Sequence, residues 1–203
     1  MKTRYAVTAG VTLGVALSFV AGSGAVSGKH RSPAVRARPS SAQAEVLARP
    51  HLSVFRRAVK ADDPVPTDIA TGPIDGDGVA DVTRARRVRI SHPAWIAPAQ
   101  GRVQPSLCFF TGASLSCPPV ADVTQNGASI AVSLHANHEI VLTGIASDSV
   151  QQVTAVFADG STQVINAADN FLWATLPHGP KEVDWIGPDG PQVVHLPTQF
   201  SQL

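Results

Sequence analysis

The chain has 203 residues, which allows one domain with appendages and excludes a second domain of enzyme size. Sixteen glycines and sixteen prolines are above average but too few for a collagen-like or wholly disordered chain. Residues 1–61 hold ten Lys or Arg and one acidic residue, whereas residues 62–203 hold six basic and fourteen acidic residues. The acidic body has no basic stripe with interleaved aromatic residues, so we expect no nucleic-acid partner.

Residues 1–25 have the layout of a secretory signal peptide. Lys2 and Arg4 precede an uncharged run, Tyr5 to Gly22, and small residues follow it. We expect cleavage after Ala25. The alternative is an uncleaved membrane anchor, because the apolar run approaches the roughly 20 residues that span a bilayer. Both interpretations place the body outside the cytoplasm, secreted or at the cell surface.

Residues 26–50 are rich in Pro, Ser, Ala and basic residues and contain few apolar residues. This composition predicts a disordered basic tether. Within it, residues 41–48 can form two helical turns before Pro50 ends them.

Residues 51–83 are expected to form a short helix and an acidic Gly-rich loop. The helix presents an apolar patch that either packs on the body or docks a partner. In the loop, Asp75, Asp77 and Asp81 surround a glycine, as carboxylates do in calcium loops. Arg84 stands where such a loop places its last carboxylate, and a guanidinium opposes cation binding. We therefore expect a solvated loop, with calcium binding as the alternative.

Residues 84–203 are predicted to form a mainly β domain. Apolar residues recur at every second position and turn signals arrive about every eight to twelve residues, which indicates a small antiparallel β-sandwich or barrel-like domain. One or two short helices complete it, since residues 117–127 fit a helix as well as a loop. The predicted strands are residues 86–90, 95–99, 104–110, 130–134, 139–146, 150–158, 161–167, 171–176, 182–186 and 192–196.

Asp159 and Gly160 mark a hairpin whose register depends on loop length. A two-residue loop sets Val153 opposite Asn166, whereas a three-residue loop sets it opposite Ile165. The second register pairs two apolar residues, and we predict it.

Cys108 and Cys117 are predicted to form a structural disulfide. If Gly112 and Ala113 form the turn between them, the two cysteines lie opposite each other, and an exported chain meets an oxidising compartment. Closing this loop contributes roughly 2.5–3 kcal/mol. The spacing lacks the C-x-x-C arrangement of redox sites, so we expect no redox role.

Residues 142–171 contain a G-[VI]-x-x-D-x-V strand start, an A-D-G hairpin and a D-N turn, and residues 52–63 read LSVFRRAVKADD. Both segments resemble a group of secreted actinobacterial β-rich proteins of unknown function, whose cysteine pair Cys108 and Cys117 also fit. The resemblance implies an extracytoplasmic β-rich fold and supplies no activity. The matching residues of the first segment are Gly144, Ile145, Asp148, Val150, Ala158, Asp159, Gly160, Asp169 and Asn170.

Trp95, Trp173 and Trp185 could form a platform for a sugar or a partner protein. Alternation, however, places Trp173 beside Phe171, and Trp185 beside Val183, on faces expected to be buried. We therefore predict that the tryptophans pack in the core.

The chemistry-bearing residues do not assemble into a known catalytic motif. His135 and His138 precede Glu139 without a third metal ligand in register, and Ser114 lacks the second glycine of a nucleophile elbow. We find no phosphate-binding or dinucleotide motif and expect no cofactor. The sequence favours a non-catalytic extracytoplasmic binding or structural module, held by its basic tether near an anionic membrane or cell-surface component. The alternative is a small secreted hydrolase that uses His135, His138 and Glu139.

Overall fold

The computed structural model describes residues 40–66, 78–111, 115–135 and 138–197. The chain divides after Arg36, and every described residue lies in the second unit, Ala37–Leu203. The predicted signal peptide and the first part of the predicted tether lie outside the described residues. In chain order the elements are α1 Ser41–Ala48, β1 Gly78–Ala80, β2 Arg86–Val88, β3 Ala94–Gly101, β4 Ser106–Thr111, β5 Leu115–Ser116, α2 Val120–Asn126, β6 Ala128–Leu134, β7 Ile140–Ala146, β8 Gln152–Val156, β9 Thr162–Asn166, β10 Phe171–Leu176, β11 Glu182–Gly187 and β12 Gly190–His195, with 3₁₀ turns at Ser53–Phe55 and Val82–Arg84.

The described strands form three antiparallel sheets. Sheet A has the order β1-β3-β4-β5, with β2 also paired to β3; sheet B has the order β10-β7-β6; and sheet C has the order β12-β11-β8-β9. This confirms the predicted mainly β, antiparallel domain with two short helices.

Sheet B lies between the other two sheets. All seven residues of β7 are buried, and its nearly continuous apolar sequence is typical of a strand covered on both faces. Ile145 packs in the hydrophobic cluster shared with sheet A, whereas Leu142 packs in the cluster shared with sheet C. Gly144 allows the close approach of β6, because a Cβ atom there would lie 2.5 Å from the Ser129 carbonyl oxygen.

Helix α1 packs on the body through a stripe of alanines. Ser40 caps its start by accepting a hydrogen bond from the Gln43 N–H at 3.1 Å. Ala44 and Ala48, four residues apart on one face, are fully buried in the cluster with sheet A. The predicted helix is confirmed, and the tether interpretation is wrong for residues 40–50, because these small side chains let the helix backbone lie close against the sheet.

The predicted helix after Pro50 is only a single 3₁₀ turn, and two turn residues hold it in place. Asp148 accepts hydrogen bonds from the Ser53 N–H at 2.9 Å and from the Arg56 guanidinium at 2.6 Å. Asn170 has φ 66° and accepts a hydrogen bond from the Val54 N–H at 2.9 Å. The apolar patch of this segment is buried in the body, which confirms packing rather than docking of a partner.

The loop after this segment is held by Asp63, whose side chain is 1% exposed. Arg57 donates to both carboxylate oxygens at 2.7 Å, and the N–H groups of Lys60 and Arg87 donate at 2.6 and 2.7 Å. Burial alone would raise the pKa of Asp63, but these donors outweigh it and lower the pKa to about 2.

The two register predictions that the structure describes are confirmed. Val153 pairs with Ile165 across the hairpin of β8 and β9, and Gly160 has φ 83° in its loop. Cys108 and Cys117 form a disulfide, and the adjoining strands β4 and β5 have the predicted register. A disulfide indicates an oxidising environment. Among the described helices, none is both long and apolar enough to cross a membrane.

Candidate functional site

A pocket opens in sheet C where strands β8 and β11 separate. Their ladder ends at the pair Thr154 and Asp184, although β8 stays paired with β9 as far as Gln152 and β11 stays paired with β12 as far as Gly187. If the ladder continued, Gln152 would lie opposite Ile186. The backbone amides of these two residues therefore border a gap instead of bonding each other.

The pocket has a volume of about 400 Å³, within the range of roughly 300–1,000 Å³ of small-ligand sites. Hydroxyl, amide and apolar side chains surround one ionisable group, the carboxyl of Asp184. The ten lining residues are Ser149, Gln151, Gln152, Thr154, Asp184, Trp185, Ile186, Pro191, Gln192 and Val193.

The polar groups of the pocket are largely unengaged. Asp184 is half-buried between Thr154 on β8 and Val193 on β12. Its carboxylate has no hydrogen-bond or ion-pair partner within the described part of the chain, and the side chains of Gln152 and Thr154 have none there either. These groups are free to accept or donate hydrogen bonds to a ligand.

Trp185 forms a fixed aromatic wall. The residue is 6% exposed, and its indole Nε1–H donates to the Asn126 carbonyl oxygen at 2.7 Å. Asn126 is the last residue of α2, which ends at Gly127 with φ 86°. Gly187 makes this contact possible, because a Cβ atom there would overlap the Asn126 carbonyl oxygen.

The two histidines and the glutamate of the predicted hydrolase alternative lie elsewhere, at the hairpin of β6 and β7. His135 Nε2 is 3.2 Å from the Ser133 hydroxyl, and the Glu139 carboxylate accepts a hydrogen bond from Thr175 at 2.7 Å. His138 has φ 63° in the turn. None of these residues lines the sheet C pocket, and the described residues contain no group of three potential metal ligands.

The loop considered for calcium is only partly described. Asp75 and Asp77 lie outside the described residues. Asp81 accepts hydrogen bonds from the Ser41 hydroxyl at 2.9 Å and the Thr83 hydroxyl at 2.6 Å. Burial raises the pKa of Asp81, but these hydroxyls and Arg84 lower it overall. This carboxylate joins α1 to the body.

The three tryptophans differ in their surroundings. Trp95 and Trp185 are buried in separate clusters, as predicted. Trp173 is half-buried and packs against the cluster that contains Phe171, so the predicted core packing is confirmed only in part for it. The exposed ring of His92 stacks on its indole with 4.0 Å between ring centroids, because Trp173 lies at the margin of the cluster between sheets A and B.

Comparison with protein-family models, curated proteins and solved structures finds no match to this chain. The resemblance to secreted actinobacterial proteins stays a prediction. Function must therefore be inferred from the geometry of the pocket.

Proposed function

We propose that this protein is a non-catalytic extracytoplasmic binding module whose binding site is the sheet C pocket. The observation that carries the proposal is the gap between β8 and β11, which presents unengaged hydrogen-bonding groups beside the aromatic wall of Trp185. Such a combination of an apolar wall with a few free polar groups is typical of ligand sites. The lining residues include one ionisable side chain, Asp184, whereas acid–base catalysis commonly uses a pair of such groups.

The disulfide supports the extracytoplasmic location, since disulfides persist in oxidising compartments. The basic tether supplies an attachment to an anionic membrane or cell-surface component. Three arginines after Ser40 are already engaged with the body, because Arg49, Arg56 and Arg57 pair with carboxylates of the folded unit. The four basic residues of positions 26–39 therefore carry the proposed attachment.

A substitution that fills the pocket with a larger side chain tests the binding site. Val193 and Val164 are both 52% exposed on sheet C, but only Val193 lines the pocket. We expect Val193→Trp to fill the pocket with little loss of stability, because surface substitutions generally change stability by less than about 0.5 kcal/mol. Val164→Trp is the matched control, because it lies on β9, the opposite edge strand of sheet C.

The measurement is a screen of small neutral and charged compounds by two-dimensional NMR. We expect compounds that bind to shift the Trp185 indole and Gln152 amide resonances in the unaltered chain and in Val164→Trp. Val193→Trp should abolish those shifts. The proposal fails if no compound perturbs these resonances, or if both variants respond alike.

A further inference from the structure

The electrostatics of the pocket favour one sign of ligand charge. Asp184 is the single ionisable lining residue, and no described cation neutralises it. Two other carboxylates of residues 138–197 pair with basic side chains: Asp148 pairs with Arg56, and Glu182 pairs with Lys181 and His195. Asp184 therefore places an unpaired negative charge inside the pocket.

The surroundings reinforce this preference. Residues 138–197 contain seven acidic residues and one lysine, and that lysine is 3.6 Å from Glu182. A surface of one sign attracts the opposite charge over distances comparable to the Debye length. A cation approaching sheet C is attracted first by the whole region and then by Asp184.

The apolar part of the pocket fits an aliphatic arm next to the charge. Ile186, two residues after Asp184 on β11, is 67% exposed, and Val193, opposite Asp184 on β12, is 52% exposed. Pro191 lies opposite Ile186. A lysine or arginine side chain combines methylene groups with a terminal cation, so its stem can cover these residues while its head reaches the carboxylate.

The backbone on the two sides of the gap supplies a third feature that a ligand can use. Gln152 and Ile186 face one another without the ladder hydrogen bonds that would join them. An extended peptide placed in such a gap can form main-chain hydrogen bonds with both strands, as peptides do when they add to a sheet.

On these grounds, and resting on the proposed function, we propose that the pocket binds an extended basic peptide, with a lysine or arginine side chain paired to Asp184. The charge of the ligand supplies the specificity, because the carboxylate is the one charged group available to it in the pocket.

The test is an NMR titration with two blocked tripeptides, acetyl-Val-Lys-Val-amide and its neutral counterpart with norleucine, which lacks the terminal amine, in place of lysine. We expect the lysine peptide to bind about tenfold more tightly, as one charge-assisted hydrogen bond predicts. Asp184→Asn should remove that difference.

Asp189→Asn is the matched control, because it removes the same charge from the turn between β11 and β12 without altering a lining residue. We expect it to weaken lysine-peptide binding by less than about twofold, the effect of a distant screened charge. Equal losses in the two variants, or equal affinities for the two peptides, would overturn the pairing with Asp184. If neutral compounds still shift the pocket resonances in that case, the binding module stands and only the basic ligand is refuted.

Discussion

At the scale of single residues, Asp63 links the stability of the fold to pH. Its pKa is lowered to about 2 in the folded chain, whereas an unfolded aspartate titrates near 3.9. The ionised form is therefore favoured by folding, which contributes stability that is fully present above about pH 4 and lost as pH falls toward 2. The contribution is about 2 kcal/mol.

Asp63→Asn should lower the free energy of unfolding at about pH 6 by at least this amount, and the difference from the unaltered chain should shrink at about pH 2.5. Urea denaturation at both pH values measures it. Asp62→Asn serves as the control, because Asp62 is 62% exposed and lies 3.9 Å from its arginine partner, so it should change stability little at either pH. If Asp63→Asn lowered the free energy of unfolding equally at both pH values, the assigned role of the Asp63 charge would be contradicted.

Residues whose role depends on local structure could be predicted from the sequence, whereas residues whose role depends on distant structure could not. The pairing of Cys108 with Cys117 could be predicted, because a turn between them fixes the register of ten residues. The importance of Asp184 could not, since it depends on where β8 and β11 diverge, and these strands come from distant parts of the sequence. An acidic residue at an alternating outward position looks like any solvated strand residue.

At the scale of elements, one side-chain hydrogen bond joins α2 to β11. Trp185→Phe removes the indole donor and leaves the Asn126 carbonyl oxygen without it. Trp95→Phe is a matched control, because Trp95 is also buried but its Nε1 has no partner among the described residues. The volume change is the same in both variants.

We expect Trp185→Phe to reduce the free energy of unfolding by about 1 kcal/mol more than Trp95→Phe, the net contribution of one hydrogen bond. Chemical denaturation measures both losses, and the Trp185 indole N–H should exchange slowly with solvent in the unaltered chain. Equal losses, or rapid exchange of that proton, would show that the bond does not hold α2 in place.

The ranges of strands and helices were predicted most accurately where the sequence pattern extended over several residues. The range of β10, Phe171–Leu176, was predicted without error, because a mostly apolar run of six residues lies between the Asp169-Asn170 turn and Pro177. Strands β1 and β5 contain three and two residues, too few to show a period, so neither was among the predicted strands, although the turn between the cysteines predicted the register of β5. The packing of α1 was missed because an alanine stripe within a Pro- and Ser-rich segment looks like tether composition.

At the scale of the whole molecule, the division of charge predicts attachment to anionic surfaces. The chain that begins at Val26 should bind vesicles with about 30% anionic lipid and release them at about 0.5 M salt, since each basic residue contributes about 1 kcal/mol. Cosedimentation measures this. Binding should fall at least about tenfold when four residues are replaced by Gln together: Lys29, Arg31, Arg36 and Arg38.

Arg102→Gln is the control for this attachment, because Arg102 is an exposed base of the body and its loss should leave vesicle binding unchanged. If the fourfold variant still binds as the unaltered chain does, the basic segment is not the anchor. Binding to vesicles without anionic lipid would likewise contradict an electrostatic attachment.

The contacts that Asn170 makes can form only late in the synthesis of the chain. The ribosome releases the chain from its N-terminus, so Leu52, Val54 and Phe55 emerge long before their partners do. Asn170, which holds Val54, comes 116 residues later, and Asp148, which holds Ser53, comes 95 residues later. The burial of these apolar side chains is therefore incomplete until Asn170 emerges, and a chain stalled before that point leaves part of this surface open to chaperones.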